Sequence, residues 1–455
     1  MSTEIQINLG VDFGTRFTKI CAYSDEVGTA VVDFGGQGLE QALVPSLVNV
    51  DIVGEVTAAC PGETTSSDSS IAQLKMALAG LGALGFGDEL DFPSLNNGDV
   101  ARAVSAFFLA TTIERAKKWV LNVWKDHVGA RSAAWSGNVG LPVEYVDSQV
   151  APRFQEVIAV AWHWAETKLP KGNLEDLVRA YNNCEALDAP AMSYCQTYPE
   201  IAAAVMSFAN SRAATPGIYV YFDIGGGTVD GVIFNLRRHQ GEVHIDFYSG
   251  HVQSLGVDWI VEDVVERLLS AGQPTSDPEK IKSILMSANS DDVDAAFARY
   301  GKSVSQLVGK VVYEGKQKDR RNWRGDRIQD LGTRRTLRKC LAEEDLNPLK
   351  VFVGGGGSGS AFYQSAISMA YERNTLEFYG IPPFELIEVP APPDLVMGSV
   401  PSSEYHRFLV AYGLSVPFGE GPEIRLPSQF ERVKPAKVVS RSDLPDYDDH
   451  KAIFD

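Results

Sequence analysis

The sequence predicts an α/β protein built as two large units, each a mixed sheet flanked by helices. Three observations carry this. At 455 residues the chain exceeds what one ordinary core encloses. Short apolar runs suited to strands alternate with longer runs whose apolar residues recur at helical spacing. One plan, strand–acid–glycine turn–strand, occurs over residues 7–23 and again over 219–235, so two halves of like construction would set their turns face to face.

Taken in order, the chain opens with a strand over 5–13, a tight "GTR" turn and a second strand over 17–23. Residues 44–50 and 138–143 read as short buried strands ended by polar or proline punctuation. Between them, 100–128 has the apolar spacing of an amphipathic helix, and 150–168 repeats it after a capping Asp147 or Ser148. The alanine-rich 199–209 forms a helix leading to "VYFDIGGGTVDGVIF", residues 220–234. Strands follow over 241–256, and a long helix starts at Gly256–Val257. Residues 277–340 read as mainly helical, with a basic run at 316–339 that serves as a solvated face. "KVFVGGGG" is a strand that turns through glycines into a last long helix. The expected division is 1–205, 206–430 with a helical section at about 260–345, and an acidic, proline-containing tail at 431–455.

Composition excludes several classes. A net charge of −18 argues against nonspecific binding to nucleic acid or anionic membranes. No apolar run approaches the roughly 20 residues that span a bilayer, and "MSTEIQINLGVDFG" reads as mature sequence. Five scattered cysteines without a CxxC pair point to a reducing compartment, so a cytoplasmic protein is expected. The seven histidines show no metal-ligand spacing.

The glycines carry the chemistry. A glycine-rich turn exposes backbone N–H groups with no side chain in the way, which makes a nest for phosphate oxygens. Asp12 precedes Gly14–Thr15, and Asp223 precedes Gly225, Gly226, Gly227 and Thr228. Carboxylates facing a phosphate make chemical sense through Mg²⁺ or its waters. A third cluster, Gly354 to Gly357, ends a strand and starts a helix, which suits a nucleoside or its α-phosphate. No P-loop of the form GxxxxGK(S/T) occurs, and a Rossmann fingerprint does not fit because Gly227 leads into a strand.

These stretches, "GVDFGTRFTKI", "VYFDIGGGTVDGVIF" and "VFVGGGGSGS", in this order, resemble the phosphate-1, phosphate-2 and adenosine motifs of the actin/heat-shock-chaperone/sugar-kinase ATPase superfamily. "DIGGGTVD", "SLGVDWIVEDVVERL" and "VGLPVEYVDS…RFQEVIAVAW" are most similar to the nucleotide-binding domain of the heat-shock-protein-70 (DnaK-type) chaperones. The resemblance covers about residues 5 to 415. It implies a two-lobed actin-like ATPase fold, duplicated ribonuclease-H-like lobes around a central nucleotide cleft, with ATP or ADP and Mg²⁺ bound there.

It also implies roles. Asp12 and Asp223 would orient Mg²⁺ through its waters. Gly14, Thr15 and Arg16 on the first turn, and Gly225, Gly226, Gly227 and Thr228 on the second, would hold the β- and γ-phosphates. Gly354, Gly355 and Gly356 would lie on the nucleoside. Glu200 would position the attacking water, with Tyr198 the alternative if the register slips, since Pro199 precedes the acid instead of following it. Two lysines compete for the γ-phosphate: Lys75, as in the chaperones, and Lys19, as in actin-type members. Pro142 and Arg153 match a chaperone relay.

The chain departs from the family in two ways, at the base and after the last helix. Ser358 stands where an arginine usually stacks on the base. The ribose-contacting helix is expected within 305–325, offering Glu314, Lys316 and Lys318. Residues 419–455 are too few for the family's peptide-binding domain. The expected function is therefore a slowly hydrolysing, DnaK-like ATP switch that acts through a partner protein. The alternatives are an actin-like, self-associating filament ATPase and a catalytically weak pseudo-ATPase scaffold.

Overall fold

The first strand, Glu4–Phe13, alternates exposed and buried residues at its start and is then buried on both faces, as a strand in the middle of a sheet must be. The computed structural model describes residues 4–63, 69–80, 84–86, 95–146, 148–187, 194–209, 214–240, 242–272, 277–287, 295–319, 323, 348–417 and 419–432. In it this strand pairs antiparallel with Phe17–Ser24 and parallel with Ser132–Leu141. The full order is Cys195–Pro199, Ser132–Leu141, Glu4–Phe13, Phe17–Ser24, Gly28–Val31, Leu395–Val396, with Val44–Pro45 against Phe17–Ser24.

A second sheet runs Phe384–Ile387, Leu349–Gly354, Gly217–Ile224, Val229–His239, Glu242–Gln253, Glu423–Arg425. It repeats the strand pattern of the first. In each, two parallel pairings lead to an antiparallel meander of three strands, and a short parallel strand closes the far edge. The protein is thus α/β with mixed sheets. A third, antiparallel sheet joins Val56–Ala58, Val48–Val50, Ser70–Ala72 and Gly85–Phe86.

The core follows the same arrangement. One apolar cluster draws on residues 5–195, a second on 220–381 and a third on 201–414. Asn97–Val123, expected to be amphipathic, is instead buried continuously from Ala103 to Ile113. Helices Val150–Glu166 and Leu174–Asn182 cover its other sides, so no solvent face remains there. Arg153, on the first of these, donates to the Leu78 carbonyl at 2.8 Å.

Two helices meet where small residues allow close approach. A Cβ at Gly413, on helix Leu409–Ser415, would lie 1.8 Å from the Ala203 carbonyl on helix Glu200–Ala209. A Cβ at Gly10 would lie 2.2 Å from the Ala411 carbonyl. The end of helix Leu409–Ser415 is then capped from the first sheet. Asn8 Nδ2 donates to the Ser415 carbonyl at 2.8 Å, and Asn138 Nδ2 to the Leu414 carbonyl at 2.8 Å.

Among the described residues, Cys21, Cys184 and Cys195 are buried free thiols and Cys60 is exposed. No described helix is long and apolar enough to cross a membrane. Asp147, Cys340, nearly all of the basic run and the tail beyond 432 lie outside the described residues.

Candidate functional site

Both glycine turns are fixed by their own backbones. At the first, the Gly14 N–H donates to the Asp12 carbonyl at 3.0 Å. At the second, the Gly225 N–H donates to the Thr228 carbonyl at 2.9 Å. The helix Val257–Ser270 starts against this second turn, where the Asp258 N–H donates to the Gly226 carbonyl at 2.8 Å. Glycine is required at 256, because a Cβ there would lie 2.4 Å from the Gly226 carbonyl oxygen. The third turn joins them, with the Gly357 N–H donating to the Ile224 carbonyl at 2.9 Å.

The three turns wall a cavity of about 300 Å³. From the first hairpin it receives Asp12, Gly14, Thr15, Arg16 and Lys19, and from the second Asp223, Gly225, Gly226 and Thr228. Lys75, Glu200, Gly355 and Gly356 complete the sequence-derived set that lines it. Two members do not reach the wall. Gly227 is turned against Thr15, whose Cγ2 would lie 3.0 Å from a Cβ there. Gly354, the last residue of its strand, is packed under the Tyr221 hydroxyl. Tyr198, the alternative to Glu200, faces Asn138 and Met206 instead, because Glu200 begins the helix directly after strand Cys195–Pro199.

The charges are paired across short distances. Lys75 Nζ, half-buried, lies 2.6 Å from Oε1 of the buried Glu200. Lys19 is ion-paired with Asp12, its cross-strand neighbour. Burial pushes Glu200 up to about 7, with Lys75 pulling the other way. Burial likewise raises Asp223 to about 6, opposed by Lys19. Burial alone would lower Lys75, but Glu200 and Asp12 beside it hold it above its ordinary value. The room for the Glu200 side chain comes from Gly140, where a Cβ would sit 2.5 Å from Glu200 Cγ.

Several wall residues lie outside the motifs. Asp230 pairs in register with Asp223, is 4% exposed, and leaves its Oδ1 without a hydrogen-bond partner. Burial drives its carboxyl well above the usual range, and the neighbouring Glu200 adds to this. Strand period is the signal that would have found it, since positions 228 and 230 share a face. Asp258 holds Arg16 at 2.5 Å and Lys282 at 2.9 Å. Lys282 and Met286 place helix Pro278–Ser287 at the cavity, at the position expected of 305–325. Within that expected segment, Glu314 faces His251 at 2.8 Å and Lys318 donates to the Pro427 carbonyl at 2.7 Å. Ser358 is buried with its hydroxyl on the Gly355 carbonyl at 2.9 Å.

The arrangement fits a divalent cation held through its waters. Among the described residues no three His, Cys, Asp or Glu side chains are grouped to ligate a metal directly. Two buried carboxylates, Asp12 and Asp230, and the partly buried Asp223 nevertheless face one space, with one Asp230 oxygen unsatisfied. Buried anions of this kind are costly without a cation. No protein-family model matches the chain, and a comparison with curated proteins found no match.

Proposed function

We propose that the protein is an ATP-binding, slowly ATP-hydrolysing nucleotide switch of the DnaK-like kind, with two actin-like lobes closing on the nucleotide and a partner protein sensing the closure. The observation that supports this best is the convergence of three separate glycine turns on one cavity that also holds the Lys75–Glu200 pair. Backbone N–H groups of the first two turns would hold the β- and γ-phosphates, and the third would meet the nucleoside side.

Asp12 and Asp223 would hold Mg²⁺ through water. When bound, that ion supplies charge neutralisation to the phosphates. Lys75 offers a fixed cation for charge that develops on the γ-phosphate. Glu200, with its carboxyl raised to about 7 by burial, is suited to accept a proton from an attacking water near neutral pH. Thr228 bonds to Asp230, which fixes its hydroxyl at the second turn. The repeated strand order supplies two similar halves whose relative rotation a partner would read.

Nucleotide binding and phosphate release by wild type, Asp223→Ala and Glu200→Ala test the proposal. Wild type is expected to bind ATP and to release phosphate faster than either variant. Binding without any excess of release over the variants would leave the scaffold reading instead. Lys19, standing in the cavity beside Asp12, favours the second reading, a filament-forming ATPase. ATP-dependent pelleting would establish that one.

A further inference from the structure

Arg407 ends the short helix Ser402–Arg407, far from any glycine motif, yet it forms part of the cavity wall. Its guanidinium, and not its aliphatic stem, lies over the third turn. A Cβ at Gly356 would stand 3.2 Å from its Nη1 and 4.0 Å from its Cζ. The backbone beside it is stitched to the same turn, since the Gly355 N–H donates to the His406 carbonyl at 3.1 Å. Glu404 engages only the Nε side, at 2.6 Å, which leaves the two terminal nitrogens for a ligand.

Charge balance separates Arg407 from the other cations on the wall. Lys19, Lys75, Arg16 and Lys282 are paired with Asp12, Glu200 and Asp258, which line the cavity themselves. Glu404 does not. Among the described residues Arg407 is therefore the wall cation whose ion-pair partner lies outside the wall. It lies over the third glycine turn, the nucleoside side in the reading above.

We propose that Arg407 is a further binding residue of this cavity, its guanidinium taking the α-phosphate of a nucleotide laid along the three glycine turns. This rests on the nucleotide reading above. The α-phosphate is common to ATP and ADP, so the residue adds affinity without telling them apart. A planar guanidinium with both terminal nitrogens free suits phosphate oxygens better than an ammonium does.

The test is titration calorimetry with MgATP and MgADP on the full chain, for wild type, Arg407→Ala, Arg407→Lys, Glu404→Gln and Lys75→Ala. Arg407→Ala is expected to weaken both nucleotides by about tenfold, the worth of one charge-assisted hydrogen bond, and to leave their ratio unchanged. Lys75→Ala should instead shift the ratio against ATP. Arg407→Lys recovers part of the loss, and Glu404→Gln binds as tightly as wild type or tighter. Unchanged affinity in Arg407→Ala, an altered ATP/ADP ratio there, or an equal loss in Glu404→Gln each overturns the inference. If wild type binds neither nucleotide, the nucleotide reading itself falls and this inference with it.

Discussion

Asp223→Asn should make the protein more stable at pH 8 while disabling the site. Burial raises the Asp223 carboxyl from an ordinary 3.8 to about 6. A folded-state value above the unfolded one means the native protein binds the proton more tightly. Its stabilising effect is fully present below pH 3.8 and is lost as the pH rises through about 6. At about 1.36 kcal/mol per unit, ionised Asp223 costs the native state about 3 kcal/mol at pH 8. Asparagine keeps the shape and cannot ionise, so it removes that cost. Its charge also contributes to raising Glu200, so the variant's remaining pH dependence shrinks further. The assay is urea denaturation of both proteins at pH 5 and pH 8 without nucleotide. Wild type should lose more stability between the two than the variant does, by about 1.4 kcal/mol, since at pH 5 the stabilisation is already partly lost. Equal losses in the two proteins, or a variant no more stable than wild type at pH 8, would refute the reasoning.

Other substitutions probe neighbouring parts. In Gly140→Ala the new methyl meets Glu200 Cγ at 2.5 Å, and a buried carboxylate has nowhere to retreat. Phosphate release should fall by about a hundredfold with nucleotide affinity preserved, as a misplaced reacting group predicts. Lys75→Met removes the neighbour that opposes the rise of the Glu200 carboxyl. The acidic limb of the pH–rate profile should then move to higher pH, read from phosphate release between pH 6 and pH 9. Gly413→Ala drives a methyl to within 1.8 Å of the Ala203 carbonyl, so the helices must separate. A loss of about 1–3 kcal/mol is expected from overpacking, read as a lower urea midpoint.

What the sequence made legible was local. Asp12 and Asp223 sit before their turns because an apolar strand, an acid and glycines are adjacent in the chain, and a hairpin follows from that alone. The side chains that complete the cavity from elsewhere (Asp258, Lys282, Met286 and Arg407) are placed by tertiary packing and carry no local signature. The same limit explains the misplaced helix. Residues 278–287 and 295–318 share one apolar period, and nothing within either says which meets the turns. Asn97–Val123 looked half-solvated because its covering helices begin at residues 150 and 174. Periodicity describes a helix and is silent about its neighbours.

The carbonyl caps supplied by Asn8 and Asn138 bear on how the chain is made. Asn8 and Ser415 are 407 residues apart, yet their bond ties the first strand to the helix that crosses it. The edge strand Leu395–Val396 also joins a sheet whose other members are all drawn from residues 4–199. The strand Glu4–Phe13 therefore leaves the ribosome well before the residues that complete its sheet. Throughout synthesis its sheet waits with an uncovered edge, Gly10 bare and two amides unbonded, until residues 395–416 emerge. A nascent chain of this design stays open on one side until those residues are made, and that interval is when it is exposed to mispairing.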